Sequence, residues 1–331
     1  MRVLFIGGTG VISSACSQLA VERGIDLYLL NRGATQRVPP PGAQIIRADI
    51  RNVEETRRAL GALQFDAVVN WIAYTPAHIQ TDLELFRERT AQYVFISSAS
   101  VYQKPPVSLP ITESAALFNP HWQYSRDKIA CENILTHAYR ETQFPATIVR
   151  PSHTYDQTKI PLPGKWTAME RMRRGKPVIV HGDGTSLWTL THHRDFAQGF
   201  LGLLGNTHAL GEAFHITSDE ILTWNQIAEI LARAAGATPR FIHIASEFIA
   251  AFDAEWGAGL LGDKAHSAIF DNTKLKRAVP DFVAAIPFTQ GAREMLAWFD
   301  ADPARRVVDP QLDQVMDRII AANDAGLRAA R

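Results

Sequence analysis

The first 150 residues alternate short apolar runs with amphipathic stretches, and this alternation constrains the fold more than any other feature. The apolar runs are nearly continuous, as expected of strands whose two faces are both covered. A repeated strand-then-helix order predicts a parallel sheet with helices on both sides. The predicted strands are RVLFIG (2–7), DLYLLN (26–31), AQIIRAD (43–49), DAVVNWIA (66–73), QYVFISS (92–98) and ATIVRP (146–151).

After Pro151 the pattern loosens, with clusters of Pro and Gly between less regular helices. The sequence therefore predicts an α/β protein, with a Rossmann-like doubly wound parallel sheet and a smaller, mixed α/β C-terminal substrate lobe. Residues 1–152 and about 186–218 are assigned to the dinucleotide-binding domain. Residues from about 153 to 185 and 219–331 are assigned to the substrate lobe, with the substrate cleft between the two.

Charge and cysteine content disfavour several other classes of protein. Lys and Arg total 34, as do Asp and Glu, so the zero net charge gives no reason to expect a nucleic acid or membrane partner. Cys16 and Cys131 both lie in helical patterns, which argues against a disulfide or a metal site. The first strand begins at residue 2, and no apolar run approaches about 18 residues, which predicts a cytoplasmic protein.

The sequence GGTGVISS (7–14) lies between the first predicted strand and a helical stretch, the context of a dinucleotide-binding turn. Gly7 fits the tight turn, and Gly10 would let the backbone approach a pyrophosphate. Ser13 replaces the usual third glycine and brings a hydroxyl that could cap the helix or contact a phosphate. The alternative is an ordinary strand-to-helix turn. The cofactor contacts predicted in this loop are Gly7, Thr9, Gly10, Val11 and Ile12.

The end of the second strand bears on which dinucleotide would bind. In NAD-binding proteins an Asp or Glu at this position usually accepts a hydrogen bond from the ribose 2′-hydroxyl. This chain has Asn31 there, followed by Arg32. An arginine there can hold a 2′-phosphate, which favours NADP over NAD, unless Arg32 simply points to water. Asp49, followed by Ile50 at the end of the third strand, either accepts from the adenine amino group or caps the next helix.

Tyr124 and Lys128 are four residues apart on a predicted amphipathic helix, so their side chains share a face. An ammonium and an oxidised nicotinamide both favour the phenolate of a nearby tyrosine. Such a tyrosine can exchange a proton with a substrate hydroxyl while hydride moves at the same carbon. The serine run SSAS (97–100) ends a strand at the edge of the sheet where ligands bind, and a serine there would hold the oxygen.

With these residues the chain resembles the short-chain dehydrogenase/reductase superfamily, in its extended or atypical branch of sugar epimerases and reductases. The resemblance spans nearly all of the chain. The segments that carry it are GGTGVIS (7–13), DAVVNWIA (66–73), SSASVY (97–102), YSRDK (124–128), RPSHTY (150–155) and GDGTSLWTLTHHRDFA (182–197).

The resemblance implies a role for each matching residue. Ser98 would be the catalytic serine, Tyr124 the general acid/base, and Lys128 the residue that lowers the tyrosine pKa and holds the nicotinamide ribose. Pro151 and the backbone near His153 would lie against the nicotinamide, and Ala73 would contribute a further cofactor contact.

The resemblance also implies a reaction: NAD(P)-dependent hydride transfer at a secondary alcohol or ketone of a sugar linked to a nucleotide. Reduction and epimerisation both remain open. A third alternative is a non-catalytic NAD(P)-binding protein with a regulatory or RNA-binding role, as some atypical relatives have. Where the family's sugar dehydratases carry an Asp–Glu pair, this chain has Ala99 and Ser100, which argues against 4,6-dehydration.

The remaining expectations concern substrate, metal and assembly. Ser100, His121 and Trp188 are candidate substrate contacts, although packing explains His121 and Trp188 equally well. No spacing suits a metal, and Asp195 is better explained as an acid in the first turn of a helix. A homodimer is compatible with the resemblance, although the segment 74–91, whose counterpart builds the family's dimer interface, is short.

Overall fold

A computed structural model describes residues 1–35 and 37–330. Its strands are β1 (Arg2–Ile6), β2 (Asp26–Asn31), β3 (Gln44–Arg47), β4 (Ala67–Asn70), β5 (Tyr93–Ile96), β6 (Ala146–Pro151), β7 (His153–Tyr155), β8 (Pro177–His181), β9 (Leu187–Trp188), β10 (Leu190–His192), β11 (Ala213–Ile216), β12 (Leu222–Thr223) and β13 (Arg240–Ile244).

The α-helices are α1 (Val11–Glu22), α2 (Val53–Leu60), α3 (Pro76–Phe86), α4 (Gln123–Thr142), α5 (Trp166–Arg173), α6 (His193–Leu203), α7 (Trp224–Ala234), α8 (Ser246–Phe252), α9 (Ala254–Gly259), α10 (Thr273–Ala278), α11 (Phe288–Asp300) and α12 (Pro310–Ala329). A π-helical turn covers Leu260–Lys264, and short 3-10 turns cover Ala99–Val101, Thr207–Ala209 and Pro303–Arg305.

Seven strands pair in the order β11-β6-β5-β4-β1-β2-β3, and each pair is parallel. The prediction of a doubly wound parallel sheet is confirmed, and β11 adds a strand beyond the six predicted. β4 ends at Asn70, three residues before the predicted boundary, because the chain turns at Trp71 into the cleft described below.

The two faces of the sheet bury different residues of the same strands. Val3 and Phe5 of β1 pack with residues of α1 and α6 in one core, whereas Leu4 and Ile6 pack in a second core on the opposite face. Alternate side chains of a strand point to opposite faces, so covering both faces requires the nearly continuous apolar runs seen in the sequence.

The smaller C-terminal region is mixed in structure, as predicted. A parallel pair, β8 with β13, and an antiparallel pair, β9 with β12, accompany its helices. A separate core includes Trp166, Trp224 and Phe299. The predicted boundaries between dinucleotide-binding domain and substrate lobe stay a prediction.

The sequence RMRRGK (171–176) is a basic run whose first and last residues form ion pairs with α12. Arg171 is buried and lies 2.8 Å from Asp317, and Lys176 lies 2.9 Å from Asp313. These acids offset the positive charges of Arg171 and Lys176.

Two properties of the helices and side chains concern residues 1–35 and 37–330 only. None of the helices there has the length and apolar character needed to cross a bilayer. Over the same ranges, no group of three or more His, Cys, Asp or Glu side chains is arranged to hold a metal ion. Cys16 and Cys131 are buried free thiols.

Candidate functional site

The glycine loop joins β1 to α1 at the carboxyl edge of the sheet. Gly7 and Gly8 adopt φ angles of +101° and +94°, in the region that favours glycine. A Cβ on Gly8 would lie 2.7 Å from Leu29, and one on Gly7 would lie 3.3 Å from Ile72. Gly8 was not among the residues predicted from the sequence. Leu29 lies so close to it that a side chain at this position would clash.

Ser13, at the position of the third glycine, stabilises the start of α1. Its Oγ accepts a hydrogen bond from the Gly10 N–H at 2.7 Å. Further along, the Ser17 hydroxyl donates to the Gly8 carbonyl at 2.7 Å and ties the loop to the helix. The first-turn N–H groups of a helix have no intrahelical acceptor and carry its positive dipole, so this loop fits a dinucleotide diphosphate.

The ends of β2 and β3 form a cationic rim beside the glycine loop. The Asn31 side-chain oxygen accepts from the Gly33 N–H at 3.0 Å and from Arg47 at 2.9 Å. Arg32 is largely exposed and lies 3.6 Å from Asp49. Arg47 was not predicted as a site residue, because its contact with Asn31 depends on the pairing of β3 with β2.

Asp49 does not cap the next helix. Asn52 does so instead, accepting from the Glu55 N–H at 3.2 Å, while Asp49 accepts from the Arg51 N–H at 3.0 Å. Of the two interpretations of Asp49, helix capping is therefore wrong, and adenine contact remains a prediction.

One cleft of about 1390 Å³ runs from this rim to the C-terminal region. That volume exceeds the range of about 300–1,000 Å³ for drug-sized ligands, so it has room for two molecules. The predicted site residues that line it are Gly7, Thr9, Gly10, Val11, Ile12, Asn31, Arg32, Asp49, Ile50, Ser98, Ser100, Tyr124, Lys128, Pro151, His153 and Trp188. Ala73 is fully buried and does not line the cleft, and neither does His121, which is exposed.

Tyr124 and Lys128 lie one turn apart near the start of α4, as the spacing predicted. The Lys128 ammonium lies 5.7 Å from the centre of the Tyr124 ring. It donates to the carbonyls of Ala73 at 2.6 Å and Ile96 at 2.7 Å. An ammonium has three N–H donors, so one remains for a ribose hydroxyl, and Ala73 contributes by holding the lysine.

Burial shifts both groups away from their charged forms. Burial raises the pKa of Tyr124 to about 12, opposed by a hydrogen bond with Ser98. The charges of Tyr74 and Asp263 act in the same direction as burial. Burial lowers the pKa of Lys128 to about 8. Desolvation therefore has the largest effect on the pKa of Tyr124, and the expected lowering of this pKa by Lys128 stays a prediction.

A chain of serine hydroxyls holds Ser98 in place. Ser98 Oγ lies 2.9 Å from Ser100 Oγ, which accepts from the buried Ser125 hydroxyl at 2.8 Å. Asn119 fixes the segment that leads into α4 by donating to the Ser100 carbonyl at 2.9 Å and accepting from the Trp122 N–H. Ser100 is buried beneath Ser98, so its hydrogen bonds favour a supporting role over the expected substrate contact.

His153 and Trp188 form a second wall of the cleft. The Trp188 indole N–H donates to His153 Nδ1 at 3.1 Å, and Trp188 is itself buried. Burial lowers the pKa of His153 far below its usual range, so the ring is neutral and Nε2 carries its proton.

The C-terminal region lines its part of the cleft with three lysines and three acids that the sequence analysis did not single out: Lys159, Lys165, Lys264, Asp253, Glu255 and Asp263. Asp263 lies 3.2 Å from the buried Lys104, and Asp253 caps α9 through the Trp256 N–H. Burial, followed by the charges of Lys264 and Lys165, lowers the pKa of Lys159. The region around Lys159 is therefore suited to an anionic group.

His192 and His193 belong to the start of α6, where Asp195 lies in the first turn as predicted. Asp195 accepts from the Ile286 N–H at 2.9 Å, and His192 Nε2 lies 3.1 Å from Glu294. These contacts join His192 to α11 and Asp195 to the segment before α11.

Several known proteins are similar in sequence to this chain. The chain is 26% identical over 256 residues to the chloroplast stem-loop binding protein of 41 kDa b from Arabidopsis thaliana, a match that covers 73% of this chain and 65% of that protein. It is 24% identical over 294 residues to the 2′-dehydrokanamycin reductase of Streptomyces kanamyceticus, covering 85% of this chain and 80% of the reductase.

Among solved structures, the UDP-glucose 4-epimerase of Thermus thermophilus, in complex with NAD, has the same fold. The TM-score is 0.72 at 21% identity, over 91% of this chain and 99% of the epimerase. The model of the NAD dependent epimerase/dehydratase family matches residues 3–217. The chain thus belongs to the NAD dependent epimerase/dehydratase family, within the extended short-chain dehydrogenase/reductase superfamily.

Proposed function

We propose that the chain is an NAD(P)-dependent oxidoreductase that acts on a secondary alcohol or ketone of a nucleotide-linked sugar, with NADP as the preferred cofactor. One observation carries the proposal: Ser98, Tyr124 and Lys128 line the same cleft as the glycine loop. A serine, a tyrosine and a lysine in the same cleft as a dinucleotide-binding loop are what proton exchange beside a hydride acceptor requires.

Each of these side chains has a distinct task. A nicotinamide bound in the cleft would supply or accept the hydride. Tyr124 exchanges the proton of the substrate oxygen, and Ser98, held by Ser100, hydrogen-bonds that oxygen. Lys128, fixed by the carbonyls of Ala73 and Ile96, directs its remaining N–H toward the cleft and adds positive charge that favours the phenolate.

A diphosphate-linked sugar is supported by the charge at the far end of the cleft. Lys159, Lys165 and Lys264 line this part of the cleft. The charges of Lys264 and Lys165 oppose protonation of Lys159 while that of Asp156 favours it, and a diphosphate would offset the repulsion between the lysines. The indole rings of Trp122, Trp188 and Trp256, which also line the cleft, offer apolar surface for a base or a sugar face.

The preference for NADP predicts a selective effect of Arg32→Ala. The guanidinium is a charged donor beside the predicted ribose position, so its loss should weaken NADPH binding by roughly tenfold, about 1.4 kcal/mol. NADH lacks the 2′-phosphate and should bind within about twofold of its wild-type affinity. Fluorescence titration of both dinucleotides measures this, with Arg240→Ala in the C-terminal region as a control. Equal losses for the two dinucleotides would refute a 2′-phosphate contact.

The direct test of the proposed function uses the purified chain with NADPH and keto sugars, with and without a linked nucleoside diphosphate. We expect NADPH consumption that is faster for the diphosphate-linked sugars. Tightly held NAD, identified by absorbance and mass, together with interconversion of sugar epimers, would assign an epimerase instead. Failure to bind either dinucleotide would reject the proposal.

The direction of the reaction should set its pH dependence. Burial keeps Tyr124 protonated at neutral pH, so reduction of a ketone, which needs the phenol, should vary little between about pH 6 and 7.5. Oxidation of an alcohol needs the phenolate and should accelerate as the pH rises, by up to about tenfold per unit. Lys128, with a pKa of about 8, keeps most of its charge over this range. Initial rates in both directions test this, and an oxidation rate independent of pH would contradict the assignment.

The match to a stem-loop binding protein makes RNA binding a second candidate. The zero net charge and the pairing of Arg171 and Lys176 with acids of α12 disfavour it. Filter binding to a stem-loop RNA at rising salt concentration separates the candidates, because phosphate contacts give a steep salt dependence. Tight, salt-sensitive binding would favour the RNA-binding alternative.

A further inference from the structure

Arg37 connects three segments of the cofactor end of the cleft. Its guanidinium donates to the Gly10 carbonyl at 3.2 Å and to Ser14 Oγ at 3.3 Å, at the start of α1. It also donates to Oγ1 of Thr158, in the segment that follows β7, at 2.7 Å. Arg37 itself follows β2, so one side chain spans the two walls on either side of the diphosphate position.

Asp156 is the charged partner of this bridge. Its side chain is completely buried, and its Oδ2 lies 2.7 Å from Arg37 Nη1 as an ion pair that lacks the alignment of a hydrogen bond. The other oxygen, Oδ1, accepts from the N–H of Thr158 at 2.8 Å and from its hydroxyl at 2.6 Å. A carboxylate this deeply buried depends on its cation, which fixes Arg37 in the bridging position.

The residues on either side of this bridge face the cleft. Thr35, two residues before Arg37, lines it, as do Thr154 and Lys159, which flank Asp156 in sequence. Gly10, whose carbonyl accepts from Arg37, lines it as well. The bridge thus links the segment after β2 to the segment after β7 where a dinucleotide diphosphate would meet the start of α1.

We propose that Arg37 and Asp156 form a clasp that holds the two walls of the cleft together around a bound dinucleotide and slows its release. The inference rests on the proposed function, because it requires a dinucleotide in this cleft. The clasp acts by holding the two walls together, because parting them would leave a buried carboxylate without its cation. This effect depends on no feature that distinguishes NADPH from NADH.

The test is stopped-flow release of NADPH and of NADH from the full-length chain. Arg37→Ala and Asp156→Asn should each speed release of both dinucleotides by roughly tenfold. The double variant Arg37→Ala/Asp156→Asn should be no faster than the faster single variant, because the substitutions break one shared contact. The double variant also removes the buried charge, so it keeps the test available if Arg37→Ala fails to fold.

Arg32→Ala is the matched control, since it should alter NADPH alone. A release rate within twofold of wild type in the double variant would overturn the clasp. An effect of Arg37→Ala on NADPH alone would also overturn it, because Arg37 would then be a ligand of the 2′-phosphate. If the wild-type chain bound neither dinucleotide, the proposed function would fail together with the clasp. If the wild-type chain binds a dinucleotide but the variants release it at the wild-type rate, the clasp is rejected and the proposed function is not.

Discussion

Replacing Tyr124 by Phe should lower turnover by roughly 10²- to 10⁴-fold, the range for a lost acid/base group. The substitution removes one hydroxyl from a ring that stays packed between Trp122 and the Lys128 ammonium, so the fold and dinucleotide binding should persist. Steady-state rates with the identified substrate, together with NADPH titration, check both parts.

Tyr74→Phe is the matched control for this prediction. Tyr74 also lines the cleft, and its ring lies 4.9 Å from the Lys128 ammonium, yet it is not part of the predicted proton path. We expect turnover within a few-fold of wild type for this variant. Near-normal activity of Tyr124→Phe, or an equal loss in Tyr74→Phe, would remove Tyr124 from its assigned role.

The second large effect concerns stability, at a buried ion pair between α4 and β6. Glu132 of α4 lies 2.6 Å from Arg150 of β6, and both side chains are almost fully buried. The Ser97 hydroxyl also donates to Glu132 at 2.5 Å. Glu132→Ala leaves the Arg150 charge without its partner, so we expect the free energy of unfolding to fall by about 3–5 kcal/mol.

Urea unfolding of two further variants shows whether burial is the cause. Glu54→Ala breaks an exposed pair with Arg57 and should cost about 0–1 kcal/mol. Glu132→Leu combined with Arg150→Met removes both buried charges and should recover most of the loss. A loss below about 1 kcal/mol in Glu132→Ala would show that the pair is hydrated in solution.

Features encoded in local spacing could be predicted from the sequence. The continuous apolar runs give the parallel sheet, because a strand covered on both faces needs apolar side chains at successive positions. The spacing of Tyr124 and Lys128 gives their shared helical face, and the glycine loop is recognisable because it separates a strand from a helix. These features brought most of the predicted site residues to one cleft.

Features that depend on contacts between distant segments could not be predicted. The bridge from Arg37 to Asp156 spans 119 positions of the chain, and the pair of Lys104 with Asp263 spans 159. Neither has a local pattern that distinguishes it from an ordinary surface charge. The pKa of Tyr124 could not be predicted either. The spacing shows that Lys128 is near, but it does not show how far burial raises the pKa of the tyrosine.

The most direct test of the account is a crystal structure of the chain bound to NADP. We expect the diphosphate at the start of α1, the 2′-phosphate beside Arg32, and the nicotinamide ring against Pro151 and His153 with its C4 facing Tyr124 and Ser98. A dinucleotide bound elsewhere, or a nicotinamide ring turned away from Tyr124, would contradict the central claim that this cleft is the site of hydride transfer.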